Sequence, residues 1–327
     1  MNFLIIDTPL LALIAMAIGF VCLIKGGDWV VESAAYVARN FGLSPLIVGF
    51  TIVAFGTSLP ELLVSVLANL EGSPGIAIGN VLGSNIANIL LVVGVAALFV
   101  PLVTTSKAII KDLVMMVAVT ALFAGLMLYG EIGRAAGVLM VVLLAVYVFF
   151  QYRMAVKGEL PVDEDEEEPD FKNKYMPYLL LLLGLAGLAV GADFLVKGAK
   201  FSATYIGVPD AVVALSVIAL GTSLPELSTS IIAARKGHSE MALGNIIGSN
   251  VFNILMIMGL TTAIKPILAG SFAAQLVDFD IWMTVAVSLI FTIILLAFNK
   301  ISRPIGGIFV AAYVLYNIYI YAIYVTP

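Results

Sequence analysis

The chain has 327 residues, of which 62% are hydrophobic and only 11% are charged, and its mean hydropathy is +1.12. Soluble domains are roughly half apolar and a quarter charged, so this composition excludes a soluble fold. The formal net charge of −5 depends largely on one tract at 163–170, which holds seven of the 21 acidic residues. A chain with this charge balance is not expected to bind nucleic acid.

A helix that crosses a ~30 Å hydrocarbon core needs about 20 apolar residues. This length predicts ten spans along the chain. The first of them lacks the basic start and the cleavage site of a signal peptide, so it is predicted to be a membrane span. The predicted spans lie near 8–38, 43–70, 74–99, 107–129, 133–155, 175–205, 208–234, 239–267, 277–298 and 303–325.

One long polar segment interrupts the apolar runs, at 156–174. Its prolines and its run of like charges predict a solvated linker. The chain is therefore predicted to contain a first five-helix unit over 1–155 and a second over 175–327. Cys22 is the only cysteine, so neither an internal disulfide nor a thiolate metal site is expected.

The two units share two motifs. GTSLPE at 56–61 recurs at 221–226, and GNVLGSNIAN at 79–88 recurs as GNIIGSNVFN at 244–253. Both pairs are 165 residues apart, the same offset that relates Asp28 to Asp193. The chain is therefore predicted to be a duplication. A helix-end or structural role is favoured for the two aspartates, which lie away from the motifs.

Counting basic residues gives the predicted orientation. Eleven Lys and Arg residues fall on one side of the ten spans and four on the other, which makes the first side cytoplasmic. Both termini are then extracellular and the acidic linker is cytoplasmic. Because each unit has an odd number of helices, the second must enter the membrane from the opposite side. We expect an all-α polytopic membrane protein with ten transmembrane helices in two inverted repeats, located in the plasma membrane.

Each GTSLPE motif places a proline inside an apolar span. Pro60 and Pro225 have no N–H and their rings clash with the preceding turn, so each helix should open there. Non-helical backbone is tolerated at membrane depth only where protein buries it or where it lines a wet cavity. Broken helices of this kind form the substrate sites of many secondary transporters.

The motif residues would supply only oxygen ligands around two carboxylates. Such a set suits a hard cation, and calcium better than magnesium or a soft transition metal. One divalent cation would neutralise the charge of −2, and without it each buried acid would tend to take up a proton. Calcium, several sodium ions or protons would each neutralise the two carboxylates, and exchange of one for another is therefore the expected activity. The candidate ligands are Thr57, Ser58, Glu61, Ser84, Asn88, Thr222, Ser223, Glu226, Ser249 and Asn253.

Other interpretations of polar residues remain open. Serine and asparagine on neighbouring spans also serve as interhelical hydrogen-bonding groups, so Ser84, Asn88 and their counterparts could be structural. The tyrosines near the end of the chain, such as Tyr313 and Tyr316, are typical of an interfacial aromatic belt.

The duplicated motifs resemble the two α-repeats of the cation/calcium exchanger superfamily, particularly prokaryotic sodium/calcium exchangers. The resemblance implies that Glu61 and Glu226 are central ligands, that the other candidates and the carbonyls of Ala54 and Ala219 surround them, and that the first and sixth helices slide across the other eight. It also shows a departure at Asn253, which is Asp in some archaeal relatives and in potassium-dependent exchangers. An amide in both repeats argues against potassium co-transport.

The expected function is secondary antiport of sodium for calcium by alternating access, with electrogenic calcium extrusion. No enzymatic activity, cofactor or obligatory protein partner is expected, only calcium, sodium and the lipid bilayer. The alternative is a calcium/proton antiporter in which Glu61 and Glu226 exchange protons. Two further alternatives are a calcium-permeable channel and a calcium-binding membrane scaffold without transport, for which the acidic tract at 163–170 is the best support.

Overall fold

The computed structural model describes residues 7–105, 107, 109–156, 171, 173–205 and 219–324, and these are almost entirely helical. The helices of the first half are α1 (Pro9–Asn40), α2a (Pro45–Thr57), α2b (Leu59–Leu70), α3 (Pro74–Phe99), α4 (Ile109–Tyr129) and α5 (Arg134–Val156). Those of the second half are α6 (Met176–Tyr205), α7a (Ala219–Thr222), α7b (Leu224–Arg235), α8 (Ser239–Ile264), α9 (Leu276–Phe298) and α10 (Arg303–Tyr324).

These helices confirm the predicted polytopic architecture. Within the described part of the chain, eight helices are long and apolar enough to cross a membrane, and the bent α2a–α2b pair makes a ninth. The start of the predicted seventh span and the acidic tract of the predicted linker, 163–170, lie outside the described residues.

Short turns join the second and third helix of each half. Ser73 precedes Pro74 at the start of α3, and the first turn of a helix tolerates a proline because its N–H would have no partner. Gly72 and Gly237 lie 165 residues apart and have φ angles of 86° and 90°. Only glycine adopts this left-handed backbone without steric cost, so the same tight turn is encoded twice.

α1 and α6 pack against each other through glycines. A methyl group added to Gly19 would lie 2.7 Å from the carbonyl oxygen of Gly191, and one added to Gly26 would lie 2.8 Å from that of Gly184. Residue numbers rise along one helix as they fall along the other, so the pair is antiparallel. Small residues allow this backbone approach, which van der Waals contact then stabilises in a membrane.

α3 and α8 form the buried centre of the molecule, and the last helix of each half packs against the central helix of the other half. Gly306 of α10 meets Gly94 of α3, and Gly137 of α5 meets Gly259 of α8. Strand β1 (Leu102–Val103) pairs antiparallel with β2 (Lys300–Ile301), and a bridge joins Ile132 to Ile267. The two halves are therefore interlocked in space, although they are consecutive in sequence.

Two tyrosines of α10 do not behave as interfacial anchors. Tyr313 is only 7% exposed, and the Tyr316 hydroxyl donates to Asp280 Oδ1 of α9 at 2.9 Å. The aromatic-belt prediction was wrong for these two residues, because the spacing of tyrosines along a helix does not show which face meets lipid.

Candidate ion-binding site

The two GTSLPE motifs form matching breaks in α2 and α7. α2a and α2b meet at an angle of 44°, and the residue between them, Ser58, has φ −83° and ψ 2°. Ser223 occupies the same position in α7, with φ −88° and ψ 4°. The predicted breaks are confirmed, and each falls two residues before the proline rather than at it.

Each break places a glutamate in the first turn of the following helix. Glu61 is the third residue of α2b and Glu226 the third residue of α7b, and each is only 1% exposed. The unpaired N–H groups at a helix start favour negative charge there. The helix breaks therefore hold both carboxylates inside the protein.

The carboxylates and hydroxyls of the two repeats face one another. The Ser58 hydroxyl donates to Glu226 Oε1 at 3.5 Å, and Thr57 also lies against Glu226. In the reverse direction, Thr222 lies against Glu61, and the two carboxylates are close enough to interact. Carboxylate and hydroxyl groups of both repeats therefore meet in one place.

α3 and α8 contribute a second set of oxygens. Ser84, Asn88, Ser249 and Asn253 are all at most 3% exposed, and the Ser249 hydroxyl faces Glu226. Asn88 and Asn253 are each the first residue of a π-helical turn. Such turns occur often at functional sites, because the extra residue shifts the direction of the side chains.

Unpartnered oxygens are concentrated at this site. Ten buried side-chain atoms of the described residues make no hydrogen bond, and six of them belong to the predicted ligands. Buried polar atoms almost always have a partner, so six unpartnered oxygens among the predicted ligands are unusual. The six are Glu61 Oε2, Asn88 Oδ1, Ser223 Oγ, Glu226 Oε2, Ser249 Oγ and Asn253 Oδ1.

One of the two main-chain candidates lies beside these side chains. The Ala54 carbonyl accepts from the amide of Ser58 at 3.0 Å and from the hydroxyl of Thr57 at 3.4 Å, so it lies next to two predicted ligands. Ala219 is the first residue of α7a. Among the described residues, no group of three or more His, Cys, Asp or Glu side chains forms a separate metal site.

Four asparagines that hydrogen-bond to predicted site residues or to the opposite repeat were not predicted individually from the sequence. Asn80 Nδ2 donates to the main-chain oxygen of Glu61 at 3.2 Å, and Asn245 Oδ1 accepts from Thr57 at 3.4 Å. Asn85 and Asn250 bond to the opposite repeat. The signal for all four was present, since they are the second and seventh residues of the duplicated GNxxGSNxxN motif.

The structure therefore defines a class of protein. Its broken helices come from two related halves and converge on a buried, acidic oxygen cluster, which is the architecture of an ion-transporting membrane protein. The family model described as "Sodium/calcium exchanger protein" matches residues 11–153 and 176–322. The chain belongs to this family and is a multi-pass cation/calcium antiporter.

Similar proteins match along almost their whole length. The sodium/calcium exchanger MaX1 of Methanosarcina acetivorans is 34% identical over 348 residues, covering 94% of this chain and 98% of that protein. The inner membrane protein YrbG of Escherichia coli is 34% identical over 305 residues, covering 91% and 92%. A solved structure of the sodium-calcium exchanger NCX_Mj superposes with a TM-score of 0.78 at 32% identity, covering 94% of this chain and 98% of that one.

Proposed function

We propose that this protein exchanges sodium for calcium at the site of Glu61 and Glu226 and exports calcium from the cell. The observation that carries the proposal is the group of six unpartnered oxygens contributed by both repeats. The names of MaX1 and NCX_Mj, both sodium/calcium exchangers, support sodium as the coupling ion.

The donor set favours calcium as the exported ion. Calcium takes roughly six to eight oxygen ligands, often with bidentate carboxylates, and this site offers two carboxylates together with hydroxyl and amide oxygens. Hydroxyl groups suit the exchange, because each can donate to a carboxylate when no ion is bound and can rotate to present a lone pair when one is. The proposed ligands are Glu61, Glu226, Thr57, Thr222, Ser58, Ser223, Ser84, Ser249, Asn88 and Asn253, with the carbonyls of Ala54 and Ala219.

The charge of the site predicts the electrical character of the cycle. Glu61 and Glu226 contribute −2, and the neutral amides of Asn88 and Asn253 add no charge. One calcium ion makes the loaded site neutral. If more than two sodium ions return for each calcium, the sodium-loaded site carries net positive charge, so exchange responds to membrane potential.

Alternating access is proposed to move α1 and α6 as a unit, because their glycine faces hold them in direct backbone contact. The protein is proposed to lie in the plasma membrane, and the distribution of basic residues supports extracellular termini and a cytoplasmic linker. The relative YrbG is named as an inner membrane protein, which supports this location.

The test is calcium-45 uptake into proteoliposomes under three outward gradients: sodium, potassium, and protons alone. We expect uptake only with internal sodium. A potassium diffusion potential set with valinomycin should change the initial rate if the cycle carries charge, and equal rates at all imposed potentials would contradict electrogenic exchange.

The same assay separates the alternatives. Uptake driven by the proton gradient alone would assign the protein to calcium/proton antiport at the same two glutamates. Calcium flux that needs no counter-ion would indicate a channel, and calcium binding without any flux would indicate a scaffold.

A further inference from the structure

Two buried asparagines next to the site hold two proposed ligands in a fixed orientation. Asn253 Nδ2 donates to Asn85 Oδ1 at 2.9 Å, and Asn88 Nδ2 donates to Asn250 Oδ1 at 3.1 Å. Both bonds run between α3 and α8, and the 165-residue offset relates one to the other. All four side chains are only 1% exposed.

Acceptor-only anchors determine which way these amides point. Asn85 Nδ2 donates to the main-chain oxygen of Asn250 at 3.3 Å, and Asn250 Nδ2 donates to Met116 Sδ at 3.7 Å. A carbonyl and a thioether cannot donate, so the Oδ1 atoms of Asn85 and Asn250 must point away from these anchors. Asn85 Oδ1 then accepts from the NH₂ group of Asn253, and Asn250 Oδ1 accepts from that of Asn88. These bonds turn the Oδ1 atoms of Asn253 and Asn88 away from Asn85 and Asn250. The Oδ1 atoms of Asn253 and Asn88 are two of the six unpartnered oxygens.

We infer that Asn85 and Asn250 are positioning residues that aim the amide oxygens of Asn253 and Asn88 at the transported cation. Their own oxygens also explain why amides occupy both positions, since an ionised Asp at 253 or 88 would face another oxygen. The inference rests on the proposed function, because it concerns the same site.

The test is calcium-45 binding to the purified protein without sodium, which does not depend on the coupling ion. Asn85→Leu and Asn250→Leu remove the acceptor, and we expect each to raise the calcium Kd about five- to tenfold. Asn85→Gln and Asn250→Gln keep both the acceptor oxygen and the NH₂ donor, so they should bind more tightly than the Leu variants.

Asn69→Leu is the matched control. Asn69 is buried at the end of α2b and donates to the carbonyls of Thr261 and Lys265 at 3.2 and 2.6 Å. Its loss should lower the melting temperature without changing the calcium Kd. Leu and Gln variants with equal affinity would overturn the inference, whereas a wild-type protein that binds no calcium would overturn the proposed function instead.

A second and independent observation concerns ion pairs at the ends of α1 and α6. Lys236, which follows α7b, pairs with Asp28 at 3.1 Å and with Glu32 at 2.7 Å, both in α1. The 165-residue offset relates Asp28 to Asp193, Glu32 to Lys197 and Lys236 to Glu71. In the first pair α1 supplies the acid, Glu32, and the base is Lys236. In the equivalent pair α6 supplies the base, Lys197, and the acid is Glu71, so the two charges are again opposite.

Only one of these two equivalent pairs is formed. Lys197 pairs within α6 with Asp193 at 2.7 Å, and no ion pair involves Glu71 in the described part of the chain. The neighbouring contacts show the same difference. Ser228 of α7b donates to the Leu23 carbonyl of α1 at 2.8 Å, whereas its equivalent in α2b, Leu63, is 63% exposed.

The geometry points to two sets of ion pairs, one near each membrane face, that form alternately; we call each set a latch. The Lys236 latch closes α1 against α7b on the predicted cytoplasmic side in the structure described here. In the opposite-facing state, the Glu71–Lys197 pair closes α6 against α2b on the predicted extracellular side. This inference rests on the proposed alternating access.

The test is hydrogen–deuterium exchange of the purified protein, followed in segments 23–40 and 63–75. Lys236→Glu should increase exchange in the first segment and decrease it in the second, because the population shifts to the opposite-facing state. Glu71→Lys should produce the reverse shift. Partly exposed ion pairs stabilise only weakly, so the shift should be roughly two- to fivefold and should shrink at high salt.

The charge-swapped variants and a neighbouring residue provide the controls. Lys236→Glu combined with Glu32→Lys, and Glu71→Lys combined with Lys197→Glu, should restore the wild-type exchange pattern. Arg235→Glu makes the same charge change one residue before Lys236 and should leave both segments unchanged. Shifts in the same direction in the two single variants, or an equal shift in Arg235→Glu, would overturn the latches.

Discussion

The molecule contains two kinds of buried acid, and their partners distinguish them. Glu61 and Glu226 face hydroxyl groups of the opposite repeat, and each keeps one oxygen without a partner. Asp280 receives the Tyr316 hydroxyl at 2.9 Å and the Gln275 amide at 3.1 Å. All three carboxylates are at most 4% exposed, so burial alone does not separate them.

The first repeat contains a similar structural acid. Asp112 Oδ1 of α4 accepts from the Tyr147 hydroxyl at 2.5 Å and from the Gln151 amide of α5. Its Oδ2, like one oxygen of each glutamate, has no partner, so the identity of the partners is what differs. A glutamine NH₂ group is only a donor, whereas a serine or threonine hydroxyl can turn and present a lone pair to a cation. The comparison teaches that the chemistry of the partner, rather than the acid itself, indicates an ion ligand.

The largest expected effect comes from neutralising the two glutamates. Glu61→Gln and Glu226→Gln should each lower sodium-driven calcium-45 uptake by roughly 100-fold or more, since the loss of a buried charged partner costs about 3–5 kcal/mol. Asp112→Asn, which removes a buried charge outside the site, is the control and should retain uptake within about twofold. Equal losses in all three variants would remove the distinction between the two kinds of acid.

A smaller effect is expected from the neutral ligands. Asn88→Ala and Asn253→Ala each remove one unpartnered oxygen, and we expect the calcium KM to rise about tenfold, which corresponds to ~1.4 kcal/mol. Initial uptake rates at varied external calcium measure this change. Because the two positions are equivalent, the two variants should differ by less than about threefold, and a normal KM in either would exclude that residue as a ligand.

The Asp–Tyr–Gln clusters should affect stability and leave ion affinity unchanged. Asp112→Leu and Asp280→Leu leave buried donors without an acceptor, at a cost of about 1–3 kcal/mol, while the corresponding Asn variants keep an acceptor oxygen. Thermal unfolding in detergent should show a lower Tm for Leu than for Asn. A change in calcium KM comparable to that of Asn88→Ala would show that these acids belong to the ion pathway after all.

The smallest effect is expected from the acidic linker. Deletion of 163–170 removes seven acidic residues, but none of the proposed ligands. Sodium-dependent calcium uptake should stay within about twofold of wild type. Loss of uptake together with loss of calcium binding would favour the calcium-binding scaffold, in which this tract is the functional site.

The sequence alone determined the class of protein and its helical architecture, and it predicts the central residues. Ten apolar runs of spanning length predict the helices because a bilayer demands about 20 apolar residues for each crossing. The paired prolines predict the breaks because proline cannot complete the helical hydrogen-bond ladder. Duplication of GTSLPE predicts Glu61 and Glu226 as the central residues, since chance does not place the same acid twice in the same polar motif of an apolar chain.

Only the tertiary structure decided which oxygens remain bare and which polar groups hold them in place. Asn85 and Asn88 have the same side chain in one motif, and their different roles depend on contacts with α8, which is more than 150 residues away in sequence. The same holds for Tyr316, whose partner Asp280 lies on another helix. Spacing along a helix determines which residues share a face, but it does not determine what that face meets, because helix packing brings together residues that are distant in the chain.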